Sequence, residues 1–449
     1  MILDTTKLSN DLRLYLELFT NVLFELPIEN SEVSLTHEQV VFELNKDLLE
    51  FDISLGINGS EFEPGIFSQY LTIFTKTQLN DFELAIKWLK MIAFDTKFDH
   101  KQILISISNL LKEINKRKTE PSDLISSLSN DVYFKRETNM NLNSFMRQES
   151  FLSNIKGQIE SGDFNIVNKL NSLRSELIQN GNIRFYFCAD LTKLNESVDS
   201  TWSKYFPKTI INSNEPFTVD LTSNLKKDES ISKQDFIINL GSTESSYLRS
   251  ISSIDITNYK HENYAGLLVL IEYFTQTEGP LYEAVRGPGY AYHQSMHISP
   301  EKALLELSLD KCANLTKAYE STRKLFTEHL NKKNAFDENL FESAKNSLIF
   351  LLIDDVKSVS SFSSYSLSCF FKKVELNAVQ ELIKKIEKVD IDEMKPLLKK
   401  YLMPLFDDNY SNCFIICHPA KSESISNDFS EKFDRKLNLI TKADDCLLN

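Results

Sequence analysis

The chain has 449 residues, of which 42% are hydrophobic and 25% are charged, and this length suffices for two or three domains of ordinary size. The net charge of −14 argues against a nucleic-acid partner, because phosphate binding requires a basic surface. With only 11 glycines and no G-x-x-x-x-G-K sequence, the chain also lacks the loop that nucleotide-binding domains use to hold phosphate.

Features that report on the cellular compartment favour the cytoplasm. No apolar run approaches the roughly 18 residues that span a bilayer, and the first residues, MILDTT, do not resemble a basic-then-apolar secretion signal. Six cysteines are scattered through the chain without the short spacings of a disulfide framework, which indicates reduced thiols. We therefore expect a cytoplasmic protein.

The first half of the chain alternates between helical and strand patterns. Thr36 and Gln39, three positions apart, form a capping box that predicts the start of a helix. In chain order, apolar spacing predicts helices at Leu12–Phe24 and from Thr36 to Leu49, strands at Phe51–Leu55 and Tyr70–Thr77, helices at Leu84–Phe94 and from His100 to Leu111, and, far downstream, a helix ending at Asn180-Gly181 and a strand at Ile183–Cys188.

The second half repeats this order. Its predicted elements are helices at Tyr264–Phe274 and Pro280–Arg286, strands at Tyr290–Ile298 and Ala303–Leu309, helices at Ala318–Leu330 and from Phe336 to Leu352, and a closing strand at Cys413–Cys417. Matching landmarks lie at similar offsets, 239 residues from Phe51 to Tyr290 and 238 from Phe98 to Phe336. A duplicated α+β domain explains this pattern, although helix and strand alternation also recurs by chance in mixed proteins.

The segment between the two blocks has a different composition. Residues from about Asp190 to Asp235 are rich in Ser, Thr, Asn, Lys and Asp, and they include Pro207 and Pro216. Such a composition with little periodicity predicts a linker, at the end of which Phe236-Ile237-Ile238 begins a strand.

Histidines and cysteines suggest metal sites, but their spacing does not support one. Neither H-E-x-x-H nor H-x-x-E-H occurs. His293 and His297 would converge on a helix, yet they lie in a predicted strand, where four residues span about 13 Å. The same separation applies to Cys413 and Cys417, which we expect to be buried thiols. We expect no metal to be bound by this chain, and no G-x-S-x-G marks a serine nucleophile.

One stretch, from Gly279 to Tyr292, combines glycine, proline, arginine and tyrosine at high density. Arg286 ends a short helix, and Gly287 and Gly289 allow a backbone path on which Arg286 and Tyr292 face the same space. The two side chains could serve as hydrogen-bond donors to a peptide carbonyl whose oxygen gains charge. Alternatively, Arg286 is a charge at a helix end and Tyr292 an ordinary strand aromatic.

The segment R-G-P-G-Y-A-Y, Arg286 to Tyr292, resembles a motif in the last domain of the pitrilysin/insulysin family of metallopeptidases, closest to its presequence-protease branch and related cytosolic eukaryotic members. The duplication resembles this family too, since its members consist of two halves, each of two related α+β domains with a mostly antiparallel sheet, that close around a chamber where unfolded peptides are cut. The resemblance covers nearly the whole chain. It implies that residues 1–191 form the third domain and residues 230–449 the fourth, with a linker at 192–229.

The resemblance also implies which residues of this chain contact the substrate and where the zinc is bound. Arg286 and Tyr292 would contact the substrate carbonyl, while Gly287 and Gly289 supply backbone geometry. The family's zinc ligands lie on the first helix of its first domain, and the corresponding helices in this chain contain no histidine. We therefore expect zinc in a partner half, which belongs to the same protein or to a separate chain, and no peptide hydrolysis by this chain alone. The start at Met1, shortly before the first helix, suggests a chain that begins at the hinge between the halves.

Two other functions remain open. A non-catalytic scaffold or assembly subunit of the same fold would need no metal. A peptide-binding module would hold extended segments by adding them to a sheet edge. Unfolded peptides are the expected substrates, and neither nucleic acid nor membrane is an expected partner.

Overall fold

The computed structural model describes residues 1–179, 181–194, 197–206 and 234–446. Within these residues the chain forms two compact units. The first contains Met1–Lys116 and the described residues from 136 to 206, and the second contains Arg117–Lys135 and residues 234–446. The predicted turn at Asn180 and most of the predicted linker, residues 207–229, lie outside the described residues.

Helices and strands alternate along both parts of the chain. Up to residue 206 they are β1 (Ile2–Asp4), α1 (Asn10–Arg13), α2 (Leu16–Val22), β2 (Ile28–Glu29), β3 (Ser34–Leu35), α3 (His37–Asp47), β4 (Glu50–Ile57), β5 (Ile66–Lys76), α4 (Phe82–Lys90), α5 (His100–Arg117), α6 (Pro121–Tyr133), α7 (Asn139–Leu142), α8 (Phe145–Glu160), α9 (Asn165–Leu177), β6 (Ile183–Arg184) and α10 (Val198–Tyr205). From residue 234 they are β7 (Asp235–Asn239), β8 (Ser246–Ser253), α11 (Tyr264–Thr275), β9 (Ala291–Ser299), β10 (Leu304–Cys312), α12 (Leu315–Asn331), α13 (Glu338–Asp354), α14 (Val359–Lys372), α15 (Ala378–Lys388), α16 (Met394–Leu397), β11 (Ser411–Cys417), α17 (Pro419–Phe433) and β12 (Leu437–Ile440). Three π-helical turns, Met91–Asp95, Tyr282–Arg286 and Leu398–Leu402, interrupt this series.

The two main sheets share one topology. The sheet of the first unit has the strand order β4-β5-β1-β6, and every neighbouring pair is antiparallel. The sheet of the second unit has the order β9-β10-β8-β11-β7-β12, and its first four strands are likewise antiparallel. The run β9-β10-β8-β11 therefore repeats β4-β5-β1-β6 in order and direction, which confirms the predicted α+β fold and its duplication. The second unit adds β7 and β12, both in parallel pairing.

One face of the second sheet packs against helices in the core. In β10, Leu305, Leu307 and Leu309 are fully buried and alternate with polar residues, as expected for a strand with one face in the core. α11 is apolar around most of its circumference and is correspondingly buried, with Leu267, Leu270 and others at 0% exposure. None of the described helices is both long enough and apolar enough to cross a bilayer.

The other face of this sheet is covered by α6. The Tyr133 hydroxyl lies 2.8 Å from the carbonyl oxygen of Ile251 in β8 and 3.0 Å from Oδ1 of Asn412 in β11. The Arg249 guanidinium donates to Ser126 Oγ at 2.7 Å. These contacts make Arg117–Lys135 part of the second unit, whereas the predicted first domain, 1–191, includes it. A single boundary in the sequence cannot assign this segment to the second unit, because the segment packs against strands more than 100 residues later in the chain.

The first unit also continues beyond the predicted boundary at residue 191. α10 falls within the predicted linker, yet Trp202 and Phe206 pack against Phe185, with ring centroids 4.3 and 4.6 Å apart. The Tyr205 hydroxyl donates to Glu83 at 2.9 Å. The strand predicted at Ile183–Cys188 is consequently short, because the chain leaves the sheet after Arg184 and Phe185 turns toward these rings.

The helix predicted at Leu12–Phe24 is instead two short helices, α1 and α2. Ser9 caps the first, and the chain bends at Leu14 and Tyr15 before the second. Side chains from a distant segment satisfy backbone groups at the bend: Gln148 Nε2 donates to the Leu14 carbonyl at 3.0 Å, and Asn143 Oδ1 accepts from the Glu17 amide at 3.2 Å. The apolar spacing indicated helical structure correctly but could not reveal this break.

Candidate functional site

The predicted Gly-Pro-Gly bend is a compact structure between a π-helical turn and β9. Leu281 and Val285 are fully buried and anchor the turn Tyr282–Arg286 in the core. The Tyr290 amide donates to the Val285 carbonyl at 3.0 Å, which brings the chain back beside the turn. Gly289 has a φ of 77°, in the left-handed region where glycine carries no steric cost. The glycine therefore fixes the direction in which β9 begins.

This bend brings the two predicted site residues together. The Arg286 guanidinium carbon lies 4.8 Å from the centroid of the Tyr292 ring and 5.3 Å from that of Tyr282. Lys311, in the neighbouring strand β10, places its ammonium 5.8 Å from the same Tyr292 ring. Tyr292 is 61% exposed and Arg286 is also exposed, so both side chains are open to a ligand. Two cations beside an accessible phenol form a cluster of hydrogen-bond donors suited to a carbonyl or carboxylate oxygen.

A polar row follows the bend on β9 and β10. His293 lies opposite Asp310, and His297 lies opposite Glu306 in the antiparallel register. Burial raises the pKa of Asp310, while the charges of Arg249 and His293 act against this shift. Glu306 accepts a hydrogen bond from Ser308 Oγ at 2.9 Å and is ion-paired with Arg249 Nε at 3.3 Å.

The structure places both histidines in a strand, as predicted, with their side chains exposed. Within the described ranges, no group of three or more His, Cys, Asp or Glu side chains could hold a metal ion. Cys413 and Cys417 are fully buried in β11, and burial raises the pKa of Cys417 to about 11. Burial also raises the pKa of Cys413, so both thiols favour the protonated form over the thiolate that binds metal.

Sequence reasoning did not identify Tyr282 or Lys311 as neighbours of the site. Tyr282 is four residues before Arg286, and helical spacing within the turn would have placed the two side chains together. Lys311 reaches Tyr292 only through the pairing of β10 with β9, and no local sequence signal carries that information.

Comparison with known proteins gives relatives in sequence and in structure. No family model matches the chain. An uncharacterized protein of Caenorhabditis elegans is 25% identical over 95% of the chain, and one of Saccharomyces cerevisiae is 26% identical over 91%. The chain aligns with only 42% and 40% of their respective lengths, so it spans about two fifths of these relatives.

Solved structures share the fold over almost the whole chain. A protease from Helicobacter pylori has a TM-score of 0.62 with 11% identity, covering 92% of this chain and 93% of that one. A peptidase M16 inactive domain from Pseudomonas fluorescens has a TM-score of 0.61 with 12% identity, covering 93% and 92%. The fold is that of M16 peptidase domains. At these identities the M16 likeness concerns architecture, and it agrees with the pitrilysin-type fold that the sequence predicts.

Proposed function

We propose that the chain is the zinc-free half of a pitrilysin-type zinc metallopeptidase that degrades unfolded peptides in a closed chamber. In this proposal the chain binds substrate and contributes Arg286 and Tyr292, whereas a zinc-bearing half, of the same polypeptide or of a separate chain, supplies the metal and activates the attacking water. The observation that carries the proposal is the convergence of an exposed guanidinium and an exposed phenol at the Gly-Pro-Gly bend. The longer relatives, of which the chain spans about two fifths, are compatible with a second half.

The chemistry follows from the donor groups. A guanidinium carries five N–H donors and a phenol one O–H donor, and both can approach the oxygen of a scissile carbonyl. Negative charge builds up on that oxygen when water adds, and donors that are already in place stabilise the charge without reorganisation. The buried anchors Leu281 and Val285 hold Arg286, and the pairing of Ala291 and His293 with β10 holds the backbone on either side of Tyr292. Neither helix that would correspond to the family's metal helix, Leu16–Val22 or Tyr264–Thr275, contains a histidine, so no step is assigned to metal on this chain.

Turnover by the combined halves tests the proposal. The purified chain is mixed with the zinc-bearing half from the same organism, and cleavage of a short fluorogenic peptide is measured. We expect Arg286→Ala and Tyr292→Phe each to lower kcat by about 100-fold, the effect of removing one donor to a developing oxyanion. Lys317→Ala is a matched control, because the Lys317 ammonium also lies over a tyrosine, Tyr290, at 5.7 Å but outside the cluster. Unchanged turnover in both site variants would refute the assigned roles.

A non-catalytic scaffold subunit is the second candidate, and the likeness to an M16 inactive domain favours it. This function requires no metal in any associated half. Metal analysis of the protein purified with its natural partner distinguishes the two functions: stoichiometric zinc in a partner that carries H-x-x-E-H supports the peptidase, and its absence supports the scaffold.

A further inference from the structure

Lys311 occupies an irregular position near the end of β10, beside the bend that carries Arg286. Between Leu309 and Cys312, β10 contains one residue more than the stretch of β8 with which it pairs, which makes a β-bulge. Lys311 lies in this bulge and has a φ of 51°, in the left-handed region that residues other than glycine rarely adopt. A lysine in this conformation costs stability, and a backbone outlier of this kind indicates that the side chain has a role.

The Lys311 side chain extends from the bulge toward Tyr292. Its ammonium lies 5.8 Å from the centroid of the Tyr292 ring, and the Arg286 guanidinium carbon lies 4.8 Å from the same centroid. All three side chains are exposed. Two positive charges at one ring repel each other, so an anion that binds beside them is favoured. The phenol hydroxyl adds a neutral donor to the two charged ones.

The duplicated first sheet contains an acidic residue at the equivalent corner. In the matching strand orders, β4 corresponds to β9 and β5 to β10. Where β5 ends and β4 begins, Lys76 lies opposite Glu50 and forms an ion pair with it at 3.2 Å. Where β10 ends and β9 begins, Cys312 lies opposite Ala291, and β9, with the sequence AYHQSMHIS, contains no carboxylate. The second sheet therefore has a lysine at this corner but no acidic residue on the facing strand.

Asp310, next to Lys311 in the sequence, interacts more strongly with two other cations. It lies opposite His293, and burial raises its pKa, a shift that the charges of Arg249 and His293 oppose more strongly than that of Lys311. Among the residues that the structure describes, neither Lys311 nor Arg286 forms an ion pair with a carboxylate. A carboxylate at this corner would therefore come from a ligand.

We propose that Lys311, together with Arg286, binds a carboxylate group of the peptide substrate, located within about two residues of the bond that is cut. The spacing follows from the Lys311 ammonium lying 5.8 Å from the Tyr292 ring centroid, since one extended residue spans about 3.3 Å. The proposal rests on the proposed function and adds a substrate class to it, namely peptides with a carboxylate near the cleaved bond.

The chemistry of the two cations suits this ligand. Charge-assisted hydrogen bonds from an arginine or a lysine to a carboxylate are stronger than those to a neutral carbonyl. The five N–H donors of Arg286 allow it to contact the carboxylate and the scissile carbonyl at once. The carboxylate belongs either to an aspartate or glutamate side chain or to the carboxyl terminus of the peptide, and the two sources are distinguished by experiment.

Binding of peptides to the chain alone tests the inference without relying on catalysis. Three eight-residue peptides of alternating threonine and glutamine are titrated by calorimetry at low ionic strength: an acetylated and amidated parent, the same peptide with one central glutamine replaced by glutamate, and the acetylated parent with a free carboxyl terminus. We expect a carboxylate peptide to bind about fivefold more tightly than the parent, which corresponds to about 1 kcal/mol at an exposed site. The peptide that shows the gain identifies the source of the carboxylate.

The charge of the protein makes this test stringent. Since the chain carries a net charge of −14, long-range attraction does not favour acidic peptides. If neither carboxylate peptide binds more tightly than the parent, the inference is overturned.

Variants of Lys311 locate the binding. Lys311→Gln removes the charge, and Lys311→Gly also removes the strain, so both should bind the carboxylate and parent peptides within about twofold of each other. Lys311→Gly should also melt at a higher temperature than the parent protein, because glycine adopts this φ without steric cost. Lys302→Gln is the matched control, since the Lys302 ammonium lies 5.9 Å from the Phe134 ring centroid, in the turn at the other end of the β9–β10 hairpin. A preference that survives both Lys311 substitutions, is lost equally in Lys302→Gln, or disappears only with a fall in melting temperature would contradict the inference.

Turnover separates this inference from the proposed function. In the combined halves, Lys311→Gln should reduce the ratio of kcat/KM between the preferred carboxylate peptide and the parent peptide by about fivefold. If the chain alone prefers the carboxylate peptide while Arg286→Ala and Tyr292→Phe leave turnover unchanged, the proposed catalytic roles fail and the carboxylate site stands. If turnover responds to those variants but the chain alone shows no preference among the peptides, the carboxylate site fails and the catalytic roles stand.

Discussion

Among the described residues, the largest fully buried side chain is a charged one, Arg435. Its Nη1 lies 2.9 and 3.0 Å from the two carboxylate oxygens of Asp235, which is 5% exposed, and its Nη2 donates to Ser411 Oγ at 2.6 Å. Asp235 Oδ1 also accepts from the Cys413 amide at 2.6 Å. The pair thus connects β7, β11 and the segment before β12. Its two members are 200 residues apart, so no local sequence pattern indicated it.

Removing one member of this pair should destabilise the protein strongly. We expect Arg435→Met to lower the free energy of unfolding by about 3–5 kcal/mol, because Asp235 would remain buried without a countercharge. Denaturant unfolding followed by circular dichroism measures this change. The double variant Arg435→Met with Asp235→Leu removes both charges, and it should recover a substantial part of the loss. A single variant as stable as the parent would show that the carboxylate finds another partner.

At the scale of elements, the sequence predicts correctly the features that depend on neighbouring residues, such as helix caps. The capping box of Thr36 and Gln39 begins α3 as expected, with the Gln39 side chain accepting from the Thr36 amide at 2.9 Å. Asp337 caps α13 as its N-cap residue, with its side chain accepting from the Leu340 amide at 2.9 Å. The break between α1 and α2 was missed because Asn143, one of the side chains that satisfy its backbone groups, lies 126 residues from the amide it binds.

The role of Asn143 at this break can be tested directly. Asn143 is fully buried, and its side chain accepts from the Glu17 amide and donates to the Asn139 carbonyl at 3.2 Å. We expect Asn143→Ala to cost about 2–3 kcal/mol of unfolding free energy, because the buried Glu17 amide loses its acceptor and the Asn139 carbonyl keeps only the Asn143 amide as a donor. The exposed Asn168, whose side chain donates a hydrogen bond to Asn165, provides a control, and Asn168→Ala should change stability by less than about 0.5 kcal/mol. Equal effects of the two substitutions would count against the role given to Asn143.

For the whole molecule, the duplication was visible in the sequence, but the sequence did not show which segments belong to which unit. Repeated helix and strand order predicted two related α+β units, and the matching strand orders of their sheets confirm this. The proximity of the Arg286 and Tyr292 side chains could be predicted because the two residues are six positions apart and joined by a distinctive bend. The approach of Lys311 to Tyr292 depends on which strands are neighbours, and the order of strands in a sheet is set by packing between distant segments.

Because α6 belongs to the second unit, a fragment that begins at residue 234 lacks part of that unit. Leu124, Leu128 and Val132 are fully buried, and Tyr133 adds its hydrogen bond to the sheet. A fragment of residues 234–446 lacks these groups and would expose the apolar part of the sheet face beneath them, including Phe414. Exposed apolar surface of this kind lowers stability and promotes association.

We therefore expect the fragment to be incomplete and to be rescued in trans. Purified alone, it should melt at a lower temperature than in the presence of a synthetic peptide of residues 117–135, since a ligand that binds only the folded state stabilises it in proportion to its concentration. A peptide with Tyr133→Phe should bind about fivefold more weakly, which corresponds to one hydrogen bond of about 1 kcal/mol. A peptide of the same composition in scrambled order is the control. If the fragment melts at the same temperature with and without the native peptide, α6 is an accessory covering and the sheet of the second unit is stable without it.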